Sequence, residues 1–236
     1  MNGIFVHIPR TVGLRFHMNV INWFGDEVID RSKVSDWLSY PYPARFVTLH
    51  ANWGFHKKLT PDWENYFTVL KDPVDRVINH YRFLTEGMER PAYSLAEFSE
   101  LEYISNMQSR MLAGQYNYRT QNGEVIYHPQ VKNMLANKAL HNITEPLPDL
   151  ELAKIRLEKF KLVGFSYKLT DFIQRLADIF EEEYVSHEPD GCERKIDTSD
   201  IDPSVIERIK IANQVDIDLY NWARSKFDNR ANLEGF

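Results

Sequence analysis

Short apolar runs that end in turns and lead into helical segments recur along the chain, and this alternation constrains the fold most strongly. Four runs have the length and the β-branched or aromatic content of buried strands: 3–8 (GIFVHI), 45–50 (RFVTLH), 65–71 (NYFTVLK) and 161–165 (KLVGF). Strands that alternate with helices favour a parallel sheet covered by helices on both faces. Ligands of such sheets bind outside the carboxyl ends of the strands. We therefore predict a three-layer α/β fold.

Two of the predicted strands lead into clear helix starts. After the first strand, residues 9–13 break the pattern, and apolar residues then recur at helical spacing up to Gly25. After the third strand, Asp72 is suited to cap a helix whose first residue is Pro73. A helix N-terminus offers unpaired N–H groups and the positive end of a dipole, so both turns are candidate anion sites.

The remaining pattern predicts further helices and one turn-rich segment. Ser94 and Glu97 form a capping box, and the last helix opens with Asp202-Pro203 and continues to about Phe227 as a single element. Between them, helices are predicted at 104–114, 129–141, 149–159 and 170–182. We find no internal repeat or linker, and we expect residues 1–236 to form one domain.

Composition excludes several classes of function. A formal net charge of −6 argues against a general affinity for nucleic acid. No apolar run is long enough to span a membrane, and the N-terminal residues do not resemble a secretory signal, so we expect a cytoplasmic protein or an excised catalytic domain. Cys192 is the single cysteine, and no HExxH motif occurs, so we expect neither a disulfide nor a metal site.

The string HIPRTVGLRF at 7–16 follows a strand and opens a helix, but it lacks the GxxxxGK[ST] spacing of a Walker A loop. It resembles the 5'-phosphosulfate loop, PKTGGT, of sulfotransferases that use 3'-phosphoadenosine-5'-phosphosulfate (PAPS). The resemblance implies that the loop binds the phosphosulfate, with an arginine where the family has lysine. The residues implied are Pro9, Arg10, Thr11, Val12, Gly13 and Leu14. Val12 replaces a family glycine, and Leu14 replaces a hydroxyl residue.

The string YFTVLKDPVDRVINHYRF at 66–83 resembles the 3'-phosphate motif of the same family, in which a strand runs into RDPVxRxxSxY. Lys71 stands in place of the first arginine and Asn79 in place of the serine, so a cation and a hydrogen-bond donor are kept. By resemblance, Lys71 and Asn79 bind the 3'-phosphate. Arg76 either joins them or pairs with a carboxylate.

Between these two motifs lies TLHANWGFH at 48–56. Family members with a saccharide acceptor carry a histidine in a similar segment, about twenty residues before the RDP motif. On that match His50 is the general base, because a histidine at a strand's carboxyl end can take a proton near neutral pH. His56 is a close alternative, whereas His7 and His80 are expected to have packing or surface roles.

Looser similarities extend over most of the chain. NMQSRMLAG at 106–114 is similar to a helix of bacterial members, and FKLVGFSYKL at 160–169 to their strand before a helix. ERKIDTS at 193–199 resembles the late cofactor-binding loop, which implies that Arg194 and Lys195 close over the cofactor. Four aromatic residues form a possible acceptor surface: Trp53, Trp63, Tyr116 and Tyr118.

The resemblance implies a P-loop-like fold and a PAPS-dependent sulfotransferase, related to carbohydrate enzymes of the heparan sulfate 2-O type and to bacterial members. The expected acceptor is a hydroxyl group of a saccharide, deprotonated by His50, while Arg10 stabilises the leaving oxygen. Two alternatives remain open. One is a degenerate nucleotide- or glycan-binding module, suggested by Val12 and Leu14. The other is a small-molecule kinase of related fold, which the missing Walker lysine disfavours.

Overall fold

The computed structural model describes residues 1–30, 44–50, 52–58, 62–86, 91–116, 140, 143, 145–187 and 195–228. At its centre is a parallel sheet of five strands: β1 (Gly3–Val6), β2 (Val28–Asp30), β3 (Phe46–Leu49), β4 (Tyr66–Leu70) and β5 (Leu162–Phe165). Their order in the sheet is β2-β3-β1-β4-β5. The predicted α/β class with a parallel sheet is confirmed. The prediction missed β2, whose three residues are too few to show a strand pattern.

Both faces of the sheet are buried, which explains why the strands read as continuous apolar runs. Within β1, Ile4 and Val6 belong to one hydrophobic cluster and Phe5 to the other. β1 lies at the centre, with Ile4 opposite Val47 of β3 and Tyr66 of β4.

Eight α-helices lie in the described part of the chain. Their bounds are α1 Leu14–Phe24, α2 Pro73–Thr85, α3 Leu95–Ser99, α4 Met107–Leu112, α5 Leu150–Leu157, α6 Leu169–Phe180, α7 Pro203–Ala212 and α8 Gln214–Ala223. Helices α1 and α6 contribute to the hydrophobic cluster that contains Phe5, and the other six contribute to the cluster that contains Ile4 and Val6. The predicted helix at 129–141 falls mostly outside the described residues. None of the described helices has the length and apolar character needed to cross a membrane.

The predicted single last helix is wrong, because the chain breaks at Asn213 into α7 and α8 and ends in a π-helical turn, Arg224–Asp228. Asn213 is fully buried. Its side-chain amide donates to the carbonyl of Ile209 (2.9 Å), and its Oδ1 accepts from the backbone N–H of Asn106 (3.0 Å). A side chain that bonds the backbone in this way competes with helix continuation. Asn213 therefore ends α7 and directly precedes α8.

Candidate functional site

The parallel strands bring all the predicted site segments that the structure describes to the carboxyl side of the sheet or to its flanking helices. The loop at 7–13 follows β1, His50 follows β3, and Lys71 follows β4. Ser166 comes directly after β5. The carboxyl ends of parallel strands are the usual place for ligands in α/β folds, so this edge is the candidate site.

The loop after β1 leaves the N-terminus of α1 without a side-chain cap. Gly13 occupies the capping position with no side-chain hydrogen bond, and no acidic residue lies in the first turn. Thr11 is fully buried and donates its hydroxyl to the carbonyl of Ile8 (2.9 Å). Val12 is 4% exposed and packs in the core, whereas Leu14 is 67% exposed. The side chains of Thr11 and Val12 hold the loop in place, so anion contacts here fall to the backbone N–H groups and Arg10.

Arg10 has a left-handed backbone, with φ 72°. A non-glycine residue in a sparsely populated backbone region costs about 1–3 kcal/mol and persists only where its surroundings fix it. Here the Nε of Arg10 donates to Oδ1 of Asn79 (2.5 Å), and the guanidinium lies 4.4 Å from the ring centroid of Phe83. Residues predicted from two separate motifs, 69 positions apart, are therefore in direct contact.

Lys71 lies where β4 leaves the sheet and is 1% exposed. The side-chain amide of Gln108 on α4 pairs with both backbone groups of Lys71. The Lys71 N–H donates to Oε1 of Gln108 (3.1 Å), and Nε2 of Gln108 donates to the Lys71 carbonyl (2.9 Å). The backbone of Lys71 is therefore fixed by α4, and its side chain is almost entirely buried.

Arg76 has a structural role. It is fully buried on α2, and its Nη2 donates to the carbonyl of Ile104 (2.7 Å) while Nη1 lies 3.4 Å from the sulfur of Met107. Burial lowers the pKa of Arg76, and the charge of Asp216 partly offsets this effect. These contacts join α2 to the segment that leads into α4. They are made to a carbonyl and a thioether and not to a carboxylate, so they hold the two helices together.

The N-terminus of α2 is closed to anions, unlike that of α1. Asp72 accepts hydrogen bonds from the backbone N–H groups of Val74 (2.9 Å) and Asp75 (3.1 Å), which confirms the predicted cap. Asp75 is half-buried, and burial and then the neighbouring Asp72 raise its pKa. Any anion bound near α2 must therefore be held by side chains such as Lys71 and Asn79.

A cavity of about 490 Å³ opens beside the first turn of α2. It lies within the size range of small-molecule sites, ~300–1,000 Å³. Asp72, Val74 and Asp75 line it from α2, and Lys195, Ile196 and Thr198 from the late segment; the other lining residues are Ser166, Tyr167, Ile206, Lys210, Tyr220 and Arg224. The segment is tied to α2, since the N–H of Ile196 donates to Oδ2 of Asp75 (3.4 Å). Lys195 therefore lies beside the first turn of α2, while Arg194 lies outside the described residues.

Three imidazole rings lie together at the ends of β1 and β3. The ring centroid of His7 is 4.3 Å from that of His50, edge to face, and 4.9 Å from that of His17 on α1. His50 is half-buried and His7 is 6% exposed. Among the described residues no group of side chains is arranged to hold a metal ion. The side chain of His56, the alternative base, lies outside the described part.

The sequence interpretation of His7 missed its contact with His50. His7 and His50 each directly follow the paired positions Val6 and Leu49, so the strand register places them side by side. The available signal was that each histidine directly follows the end of a strand. Using this signal requires knowing that β1 pairs with β3, which the sequence pattern alone did not show.

The predicted aromatic acceptor surface is not assembled at this edge. Tyr116 is 2% exposed and donates its hydroxyl to the carbonyl of Tyr103 (2.7 Å). The ring centroid of Trp53 lies 3.6 Å from that of Tyr66, with the rings tilted by 32°, and Tyr66 begins β4 at the opposite edge of the sheet. Trp63 packs against the core, and Tyr118 lies outside the described residues.

A scan of the chain against models of known protein families found no match, and a search of curated proteins found none either.

Proposed function

We propose that this protein is a PAPS-dependent sulfotransferase with a P-loop-like fold, and that it transfers a sulfuryl group to a hydroxyl of a saccharide. The observation that carries the proposal is the contact between Arg10 and Asn79. The two residues belong to motifs that resemble the two phosphate sites of one nucleotide, and such sites must lie close together to hold the same molecule.

The residues present suit the donor nucleotide in charge. The uncapped N-terminus of α1 and Arg10 are suited to the 5'-phosphosulfate, since both supply positive charge. Lys71 and Asn79 are suited to the 3'-phosphate as a cation and an amide donor. The cavity lined by Lys195 adjoins the α2 motif and has room for the nucleoside.

In the proposed reaction His50 takes the proton of the acceptor hydroxyl as its oxygen attacks sulfur. An oxygen–sulfur bond forms, and the bond from sulfur to the bridging phosphate oxygen breaks. The bonding pair stays on that oxygen, so negative charge develops on the 5'-phosphate as it leaves. Arg10 and the N–H groups at the start of α1 stabilise this charge, an effect of about 3–4 kcal/mol for one well-placed donor.

A catalytically degenerate binding module is the second candidate. Its support is local: at the two positions where the loop departs from the family pattern, Val12 packs in the core and Leu14 is 67% exposed. Neither side chain offers a hydroxyl to a phosphate. Nucleotide binding without transfer to any acceptor would favour this candidate.

Calorimetric binding of adenosine 3',5'-bisphosphate, the product nucleotide, tests the cofactor assignment. We expect the wild type to bind it, Lys71→Met to weaken binding by about tenfold or more, and ATP to bind less well with no magnesium requirement. Absence of binding, or a preference for ATP with magnesium, would reject the sulfotransferase in favour of the binding module or a kinase.

The variant His50→Ala tests the catalytic assignment on saccharide acceptors. Loss of a general base lowers turnover by about 10²–10⁴-fold. The affinity for the bisphosphate should change by less than about threefold, because His50 acts on the acceptor. Equal loss of turnover and nucleotide affinity would mean that His50 supports the fold of the site.

A further inference from the structure

The segment NMQSRMLAG at 106–114 has no role in the proposed chemistry. One of its residues, Gln108, nevertheless contacts Lys71, which we propose binds the 3'-phosphate. We propose that Gln108 is a positioning residue, which fixes Lys71 for contact with the 3'-phosphate of the nucleotide. This inference rests on the proposed function and assigns a specificity role to α4.

The geometry of the pair is that of two amides facing each other. Gln108 accepts from the Lys71 N–H at 3.1 Å and donates to the Lys71 carbonyl at 2.9 Å. Gln108 is 1% exposed, as is Lys71, so both hydrogen bonds lie away from water. A primary amide supplies a donor and an acceptor side by side, which an ionised carboxylate or an apolar chain cannot do.

The position of Lys71 in the chain explains the need for this support. The ladder between β4 and β5 ends at Leu70, opposite Phe165. Asp72 and Pro73 then begin α2, and proline has no N–H to donate. Buried backbone groups without partners are costly, so Lys71 needs a partner that comes from outside the sheet.

Gln108 is itself held rigidly. Its backbone N–H donates to Oδ2 of Asp216 (3.0 Å), and Ser109 donates its N–H and hydroxyl to Oδ1 (2.7 Å each). Asp216 is fully buried on α8 and caps α4 in place of Asn106, whose side chain makes no capping bond. Lys71 is thus connected through α4 to α8, and its backbone cannot shift without breaking buried hydrogen bonds.

Gln108→Met removes both bonds to Lys71 with little change in side-chain length. We expect the affinity for adenosine 3',5'-bisphosphate to fall by about tenfold, while that for adenosine 5'-monophosphate falls less than about threefold. In a Lys71→Met background, Gln108→Met should add little, because positioning matters only when the ammonium is present. Ser99→Ala is the control: it removes a buried hydroxyl bond, from Ser99 to the carbonyl of Ala96 (2.7 Å) on α3, and should leave the ratio of the two affinities unchanged.

Amide hydrogen exchange at Lys71 separates this inference from the proposed function. Faster exchange in Gln108→Met, together with the selective loss of bisphosphate affinity, supports the inference. Equal weakening of both nucleotides, or the same selective loss from Ser99→Ala, would reduce Gln108 to a structural residue. Unchanged exchange at Lys71 would refute the contact itself. If the wild type binds no bisphosphate, the proposed function fails together with the phosphate role, and exchange still reports whether Gln108 holds Lys71.

Discussion

The turns at 9–13 and 71–73 both connect a central strand to a helix, but they are built in opposite ways. The first leaves α1 uncapped at Gly13 and holds Arg10 at φ 72°. The second caps α2 with Asp72, and Gln108 pairs with the backbone of Lys71. The first turn therefore keeps backbone donors and strain at the place where we propose sulfuryl transfer, whereas the second satisfies its backbone and offers only side chains.

The two turns therefore suit different roles: the first suits the proposed chemistry, and the second supports a binding residue. A loop that stabilises developing charge needs unpaired donors, and such a loop adds little to stability. A turn that holds a cation in a buried position needs a rigid frame. The comparison predicts that substitutions in the residues that support the second turn mainly lower stability. Substitutions in the first turn should mainly lower turnover.

The largest expected effect is on the frame of the second turn. Asp216→Ala removes the buried acceptor of three hydrogen bonds from Gln108 and Ser109. We expect the free energy of unfolding to fall by about 3–5 kcal/mol, measured by chemical denaturation. Asp218→Ala, on the exposed face of the same helix, should cost less than about 0.5 kcal/mol. Equal effects of the two substitutions would mean that the buried hydrogen bonds of Asp216 do not stabilise the support of the second turn.

The second expected effect is on the strained loop. Arg10→Gly relieves the left-handed backbone but loses the bond to Asn79, so these terms offset and stability should change by less than about 1 kcal/mol. Turnover should fall by about 100-fold. Arg45→Ala is the control, because Arg45 also lies over a ring, 5.0 Å from the centroid of Phe24, but precedes β3 at the other edge. A loss of stability in Arg10→Gly without loss of turnover would make Arg10 structural.

The third prediction gives the first turn a capping side chain like that of the second. Gly13 has an extended backbone (φ −120°), so Gly13→Asp adds a carboxylate at the start of α1 without backbone strain. Thermal unfolding should show a gain of a few tenths of a kcal/mol, ~0.3. Bisphosphate affinity should fall by about tenfold, because the new charge occupies the anion position. Gly13→Asn caps without charge, and if it weakens binding equally, the N-terminus of α1 is not the anion site.

Much of this architecture follows from local sequence. Asp72-Pro73, the Ser94–Glu97 box and Asp202-Pro203 were predicted as helix starts, and all three cap as expected. Such signals act over three or four residues, so they are independent of the rest of the fold.

The missed features depend on partners far away in the chain. The break at Asn213 needs Asn106, and the support of Lys71 needs Gln108, 37 residues later. The contact of His7 with His50 needs the pairing of β1 with β3. Motif resemblance predicted that Arg10 and Asn79 share a ligand, but the strained backbone that brings Arg10 to Asn79 has no local signal in a non-glycine residue.

The smallest predicted effect concerns Asp75, the carboxylate that faces the cavity from the start of α2, directly after the second turn. Burial and Asp72 raise its pKa above the usual 3.8, so the native state binds its proton more readily than the unfolded state. Stability from this group therefore falls as pH rises through the window above 3.8 and stays lower beyond the folded pKa. Asp75→Asn keeps an acceptor for the N–H of Ile196 and removes this loss. The gain at neutral pH should stay below about 0.5 kcal/mol, since the group is half in water. Bisphosphate affinity should rise about two- to fivefold as a negative charge leaves the cavity, and less so at high salt. If the affinity falls instead, the carboxylate of Asp75 bonds the ligand, and the second turn supplies a charged contact as well as a frame.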